Sequence, residues 1–324
     1  VVMLTGDAPE TARAIATQAG FARPDVVALG QDLQDPAQAQ RLADSVDIFA
    51  RMAPEHKQTL VRLWSAHGDV VGMGGDGVND APALAQAHVG VAMGQRGTDV
   101  AREAADVVLT DDSFTSLVEG VRLGRYTTRR ILQSAAFVLA VHVPIVGLVL
   151  YCLALNLPPL VSAAQVAFLE LFIGPSCSVV FERAFSHEDP MSRPPRNPRE
   201  PFLSTRRIVI AIFQGSIILA MVALTYQQGL SSLGEADARS LAFSAVLLGD
   251  LMLGGTLLSP APFWTRERWN NIWFWGVAAA VMGLLELLRR LPLTEGVLKM
   301  PPLDLAGWGH AFALAAVATL WHEV

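Results

Sequence analysis

Asp76 and Asp80 stand four residues apart around Gly77-Val78-Asn79, directly after Val70-Val71-Gly72-Met73-Gly74-Gly75 and directly before Ala81-Pro82-Ala83-Leu84. Glycines let a backbone approach a phosphate closely, and carboxylates beside such a turn can hold Mg²⁺ through one or two oxygens. Upstream, Thr5-Gly6-Asp7 ends a short apolar run just before Pro9. That order puts a hydroxyl and backbone N–H groups at a helix N-terminus, which favours anions. Lys57, in Pro54-Glu55-His56-Lys57, is one of only two lysines in a chain that otherwise uses arginine. A compact ammonium offsets phosphoryl charge without imposing bidentate geometry. These residue types point to phosphoryl chemistry with Mg²⁺. Read singly, Asp80 also fits a helix N-cap and Lys57 a solvated lysine at a helix start.

The elements that must carry these residues alternate. Strands are predicted at Val1–Leu4, Val26–Leu29, Val46–Ala50, Asp69–Met73, Val89–Met93 and Val107–Leu109. Helices are predicted at Pro9–Ala19, Pro54–Ala66, Ala81–Ala87 and Thr98–Ala105, the first with proline in its opening turn and Gly20 after its end. Short apolar strands between helices predict a parallel, Rossmann-like α/β sheet covered on both faces, with ligands at the carboxyl ends of its strands. Thr5, Gly6, Asp7, Asp76 and Asp80 all lie just past such ends. Val1 reads as the start of a buried strand with no initiator Met or signal peptide, so a preceding segment is expected.

The whole chain has 324 residues, 52% of them hydrophobic, and a formal net charge of −6; its mean hydropathy is +0.38. That is too apolar for an ordinary soluble protein, and the charge gives no reason to expect nucleic-acid binding. The apolar bias is concentrated after Arg129, in six runs at about Ile131–Leu155, Val161–Phe181, Ile208–Tyr226, Leu241–Leu258, Ile272–Leu288 and Leu305–Trp321. Most approach the twenty residues that cross a bilayer core. The predicted fold is therefore an α/β domain over residues 1–128 followed by an all-α membrane domain of six transmembrane helices. Two helices fall in 129–182, a Pro- and Arg-rich loop in 183–207 and four helices in 208–324. Arg122, Arg125, Arg129 and Arg130, with six arginines in the loop, put those sides in the cytoplasm by the positive-inside rule. Arg289, Arg290 and Lys299 on the other side weaken that orientation. Cys152 and Cys177 form no CxxC pair and read as small buried residues.

Gly75-Asp76-Gly77-Val78-Asn79-Asp80-Ala81-Pro82 resembles the hinge motif of the P-type ATPases, ion pumps of the haloacid-dehalogenase superfamily. Thr5-Gly6-Asp7 and Pro54-Glu55-His56-Lys57 match two further motifs in the same order. The resemblance implies Asp76 as an Mg²⁺ ligand with Asp80 as its supporting carboxylate, and Asn79 near the phosphate. It implies Lys57 and Thr5 on an aspartyl phosphate, and Asp7 and Arg51 on the side of the ATP nucleotide. It also implies what is missing. The nucleophilic aspartate of an Asp-Lys-Thr-Gly-Thr stretch has no counterpart, since no Asp-Lys pair occurs. A missing N-terminal segment of the pump would carry it, together with the nucleotide-binding and actuator domains and four membrane helices. By this reading the chain alone does not turn over ATP.

Ionisable residues inside a membrane span are functional candidates by default. His142 precedes Pro144 in the first run, and Glu170 precedes Pro175 in the second. Each proline frees the carbonyl of the residue four before it, Ala140 and Leu171. Glu170 and His142 are therefore the expected contacts of a transported cation. Against the type II pumps, Ile145 and Gly174 fall where acidic ligands are expected, which argues against calcium. Asp250 and Glu286 are acidic residues of later runs with no assigned place. Two other readings stay open: a truncated, non-catalytic membrane remnant or regulatory partner, and a soluble superfamily phosphatase, which six apolar runs oppose. The expected location is a multi-pass protein of a bacterial plasma membrane with its phosphorylation domain in the cytoplasm.

Overall fold

The computed structural model describes residues 1–171, 189–197, 200–258 and 272–320. The chain divides into Val1–Val121 and Arg122–Val324. The first unit runs β1 (Met3–Leu4), α1 (Pro9–Gln18), β2 (Val27–Leu29), α2 (Pro36–Ser45), β3 (Ile48–Ala50), α3 (Pro54–His67), β4 (Gly72–Gly75), α4 (Ala81–Gln86), β5 (Val89–Met93), α5 (Asp99–Ala104) and β6 (Val107–Leu109). Proline opens α1, α2 and α3 and lies in the first turn of α4, where its missing N–H is not needed. Gly68 at φ 99° closes α3 in the left-handed region that glycine enters freely.

Every strand pair is parallel. The strands form two three-stranded sheets, ordered β1-β3-β2 and β4-β5-β6, rather than one continuous sheet. β1 and β4 are end strands of their sheets. The two larger apolar cores of this unit hold Phe49 and Leu60 in one and Val61, Met73 and Leu84 in the other. Leu4 and Trp64 pack against both. Leu60 and Val61, adjacent on α3 and fully buried, thus serve different cores. Lys57 lies one turn earlier on the same helix face, which brings its stem to the seam between the sheets.

Two local features differ from the sequence reading. Helix α2 was not expected; Asp35 caps it by accepting the N–H groups of Ala37 and Gln38 at 3.4 and 3.3 Å, with Pro36 first in the helix. Strand β4 starts at Gly72 instead of Asp69. The N–H of Val71 donates to the His88 ring at 3.1 Å, and its carbonyl accepts from His88 and Val89, so the ladder pairs Gly72 with Val89 and carries the strand to Gly75.

The second unit is helical. It contains most of α6 (Phe114–Ala154), a helix over residues 163–171 (α7), α8 (Thr205–Ser232), α9 (Glu235–Leu258), α10 (Ile272–Arg290), α11 (Pro292–Leu298) and α12 (Leu305–Leu320). Among the described residues four helices are long and apolar enough to cross a membrane, namely α6, α8, α9 and α10. Helix α12 has 16 residues and falls short. The second expected run is described only to Leu171, and Pro175 and Cys177 lie outside the described residues. Pro144 does not break α6, which is one helix of 41 residues. Small residues let the helices close up. A Cβ on Gly215 of α8 would lie 2.3 Å from the Ala140 carbonyl that Pro144 leaves without its helical donor.

Arg289 is buried and donates to Ser240 O at 3.2 Å and Ser244 Oγ at 2.7 Å, stacked over Trp308 at 5.5 Å. It is an interhelical tie rather than a loop charge, so it carries little weight against the predicted orientation.

At the end of the first unit, the turn before α6 is held by two carboxylates. Asp112, at φ 53°, accepts the N–H groups of Gln95 and Arg96 at 2.9 Å each and the Arg96 guanidinium at 3.2 Å. These contacts, the Gln95 N–H foremost, hold its carboxyl below its ordinary value near 3.8. The Ser116 hydroxyl and the Ser113 N–H do the same for Asp111. A carboxyl depressed in the folded state stabilises above its unfolded value and loses that contribution as pH falls through the folded one. Asp112→Asn should therefore lower the melting temperature at pH 7, with the difference from wild type shrinking as pH falls below the ordinary carboxyl value and through the depressed folded one. Melting curves across pH check this.

Candidate functional site

The turn after β4 folds onto Asp80. Asp80 Oδ2 accepts the N–H groups of Asp76 and Gly77 at 3.3 Å each, and Oδ1 takes the Lys57 ammonium at 2.5 Å. The side chains of Lys57 and Asp80 are only 13% and 11% exposed, so the pair sits largely out of water. Asp80 occupies the N-cap position of α4, yet its carboxylate accepts no helix N–H. It turns back onto the turn instead. Gly75 makes the room, since a Cβ there would stand 2.5 Å from that of Asp80.

Asp76 and Asn79 are exposed at the tip of the turn. The Asp76 carbonyl accepts the N–H of Thr98 at 2.8 Å. Its carboxylate makes no hydrogen bond among the described residues. A free carboxylate beside a closed glycine turn fits one ligand of Mg²⁺, which takes few protein oxygens and fills its octahedron with water and phosphate. Asp80, with both oxygens engaged, fits the supporting place. No cluster of three or more His, Cys, Asp or Glu side chains able to hold a metal occurs among the described residues.

A second group stands past β1. Thr5 Oγ1 donates to Asp7 Oδ2 at 3.0 Å and accepts the Asp7 N–H at 3.1 Å. The Thr5 carbonyl accepts from Met52 N and the Asp7 carbonyl from Arg51 N, both at 3.0 Å, which prolongs the β1–β3 ladder past the strand ends. Arg51 reaches this geometry at φ 53°, uncommon for an arginine. Asp7, Gly6 and Arg51 are exposed, and no side chain caps α1. Thr5, Gly6, Asp7 and Arg51 are thus brought together. So are Lys57, Asp76, Asn79 and Asp80 by chain and hydrogen bond.

In the second unit His142 Nε2 lies 3.1 Å from Glu170 Oε1, and its Nδ1 lies 2.7 Å from the Val138 carbonyl. The two side chains are 40% and 47% exposed. Asp250 was named from sequence without a place. It is 1% exposed, and among the described residues neither carboxylate oxygen has a hydrogen-bond partner. On its face of α9, Phe243 meets Phe168 of α7, and Gly254 stands against Phe137 of α6. Asp250 lies between these contacts by helical spacing. Sequence reasoning missed Gln165, whose side chain donates to Leu298 O at 2.6 Å and accepts from Ser162 N at 2.8 Å. Nothing in an apolar run marks such a glutamine except its polarity.

Residues 158–324 match the family described as cation transporting ATPase, C-terminus, and residues 1–88 match the haloacid dehalogenase-like hydrolases. The chain belongs to the cation-transporting P-type ATPases. It is 35% identical over 334 residues to the cation-transporting ATPase pma1 of Synechocystis, covering 95% of this chain and 35% of that protein. To the calcium-transporting ATPase of Bacillus subtilis it is 28% identical, covering 98% of this chain and 36% of the relative. To calcium-transporting ATPase 1 of Saccharomyces cerevisiae it is 35% identical over 74% of this chain and 26% of the relative. The chain thus spans about a third of the length of these P-type ATPases. Its spanning helices and this family make it an integral membrane protein.

The Lys57–Asp80 pair gives the site a measurable signature. Removing one partner of a largely buried pair leaves an uncompensated charge and destabilises by about 3–5 kcal/mol, more than the pair is worth as a whole. Lys57→Met should therefore lower stability strongly, and Lys57→Met with Asp80→Asn should recover part of the loss. A double-mutant cycle on thermal unfolding measures this.

Proposed function

We propose that this chain is the C-terminal part of an ATP-driven cation pump. In that pump, formation and hydrolysis of an aspartyl phosphate drive an ion through the membrane helices. The observation that carries the reading is the closed turn around Asp80, whose carboxylate holds both the Lys57 ammonium and the Asp76 N–H while the Asp76 carboxylate stays exposed. ATP is the phosphoryl donor, and Mg²⁺ supplies charge neutralisation at the transferring phosphoryl group. Asp76 holds the ion; Asp80 fixes the turn and the Lys57 ammonium. Thr5 and Gly6 offer a hydroxyl and an N–H to phosphate oxygens, and Asn79 hydrogen-bonds near the phosphate. Asp7 and Arg51 meet the nucleotide.

The acceptor aspartate belongs to a preceding segment of the same pump, which also carries the nucleotide-binding and actuator domains and four membrane helices. β1 and β4, each an end strand, are followed by Thr5 and Asp76, and Leu4 packs against both cores. A strand between them would end beside those residues. In the membrane, a half-exposed His142–Glu170 pair cannot face lipid without heavy desolvation, so helices of the same segment cover it. Glu170 and Asp250 are the carboxylates assigned to the transported cation, with His142 beside Glu170. Calcium is the named cargo of the Bacillus and yeast relatives. Ile145 and Gly174 offer no side-chain oxygen here, so the assignment stops at a cation. The pump sits in a bacterial plasma membrane with its phosphorylation domain in the cytoplasm.

Two measurements on the full-length protein test this. Wild type should incorporate γ-phosphate from ATP in an acid-stable, hydroxylamine-labile form that requires Mg²⁺, and Asp76→Asn should reduce labelling at least a hundredfold; normal labelling of the variant would remove Asp76 from the site. Glu170→Gln should shift the cation concentration for half-maximal ATPase activity about tenfold, about 1.4 kcal/mol of binding. An unchanged cation response would leave Glu170 as a helix-pairing residue.

A further inference from the structure

Asp76 is held by its backbone, and one of the two holds comes from a part of the chain that no motif above includes. Its N–H donates to Asp80 Oδ2 at 3.3 Å, while its carbonyl accepts the N–H of Thr98 at 2.8 Å. We propose that the loop Gly94–Thr98, braced by Arg102, fixes where the Asp76 carboxylate stands, which makes Thr98 and Arg102 positioning residues for the Mg²⁺ site. This rests on the pump reading above.

The bracing is dense. Arg102 Nη1 donates to the carbonyls of Gly94 at 3.0 Å and Gly97 at 2.5 Å, and Nη2 pairs with Asp99. From the other side Asp112 takes the N–H groups of Gln95 and Arg96, and Gly94 N donates to Leu109 O at 2.8 Å. No looser path is open to the loop. A Cβ on Gly97 would stand 1.9 Å from Met93 O, and one on Gly94 2.7 Å from Leu109 O. Thr98 then starts α5, with its hydroxyl accepting the Ala101 N–H at 3.3 Å. Its backbone N–H is left to the Asp76 carbonyl. A guanidinium suits this task because its rigid fork gathers two carbonyls and a carboxylate at once, which a lysine ammonium does less completely.

Thr98 allows the hold on Asp76 to be separated from the cap on α5. Thr98 has φ −72°, which proline adopts. Thr98→Pro removes the N–H and places a ring carbon toward the Asp76 carbonyl, forcing the turn to shift. Thr98→Ala loses only the hydroxyl cap. In the full-length protein, direct Mn²⁺ binding is read from the loss of the free-ion EPR signal, alongside the Mg²⁺ and ATP dependence of phosphorylation. Thr98→Pro and Arg102→Ala should weaken Mn²⁺ binding and raise the half-saturating Mg²⁺ about tenfold, with the ATP half-saturation within twofold of wild type. Thr98→Ala should stay within twofold throughout, and Arg102→Lys should fall between. Should Thr98→Pro fail to fold, the Arg102→Ala and Arg102→Lys pair decides on the same readouts. Wild-type Mn²⁺ binding in Thr98→Pro and Arg102→Ala, or an equal loss in Thr98→Ala, would overturn the proposal. Asp76→Asn separates the two readings: if it weakens Mn²⁺ binding while the loop variants do not, only the positioning role fails. If wild type neither labels nor responds to Asp76→Asn, the pump reading fails.

Discussion

The 2.5 Å contact between Lys57 Nζ and Asp80 Oδ1 sits at the seam of two small sheets, where water hardly reaches either group. A carboxylate there must be compensated in full, and Asp80 meets the demand with one oxygen on the ammonium and the other on two N–H groups of its own turn. Much of the first unit follows from that arrangement. Gly75 has to lack a Cβ, and α4 has to begin without a side-chain cap because the residue placed to cap it is engaged elsewhere. α3 has to present Lys57 on the face that also buries Leu60 and Val61. Asp76, next to all this, is left with a fixed backbone and a free carboxylate. That division between a held main chain and an open side chain is what preorganises a ligand for a cation.

In the membrane unit polar groups face a harsher solvent, and most are satisfied by a nearby carbonyl. Tyr226 donates to Pro158 O at 2.9 Å, Arg239 to Pro159 O at 3.1 Å, Ser240 to Pro301 O at 2.6 Å and Gln165 to Leu298 O at 2.6 Å. These bonds tie helix ends and connecting loops together, and each satisfies a group that would otherwise be costly to bury. Asp250 is different in kind. It lies mid-helix with both oxygens unpartnered among the described residues, between positions that touch α6 and α7. Burying a carboxyl group in that state is costly. A buried group left without a partner calls for an explanation other than packing, which the proposed cation pathway supplies.

The alternation of short apolar runs with Pro-led helices was enough to place most elements of the first unit within one or two residues. Proline position and strand length are local properties that a sequence carries openly. Two things were not local. Helix α2 was missed because its buried residues are small alanines, Ala39 and Ala43, which leave a faint stripe, although Asp35-Pro36 announces its start. The break between the sheets depends on which strands find hydrogen-bond partners, and no periodicity encodes that. Among site residues, Asp76, Asp80 and Lys57 were legible because their types and spacing are unusual together. The loop from Gly94 to Thr98 was not, since its contribution runs through a backbone N–H that every residue but proline has. Pro144 shows the limit of a local signal: it marks a lost hydrogen bond, yet the helix continues through it, with Gly215 of α8 placed so that a Cβ would meet the Ala140 carbonyl.

The contrast between arginine and lysine in this chain has a physical basis. Arginine after arginine gathers main-chain carbonyls: Arg102 those of Gly94 and Gly97, Arg125 those of Pro190 and Arg193, Arg196 those of Glu200, Pro201 and Phe202. A planar fork with five donors is suited to shaping loops, and once engaged it stays engaged. Among the described residues Lys57 donates to Asp80 Oδ1 alone. An ammonium carries three donors on one rotating head, so two remain for whatever oxygen enters the seam. An arginine at this position would spread its donors over the carboxylate and the turn and bind the site to a single geometry. Under the proposed function, a group that meets a phosphoryl oxygen in one step and releases it in the next needs a donor whose unused hydrogens can turn, which a lysine ammonium supplies and an engaged guanidinium does not.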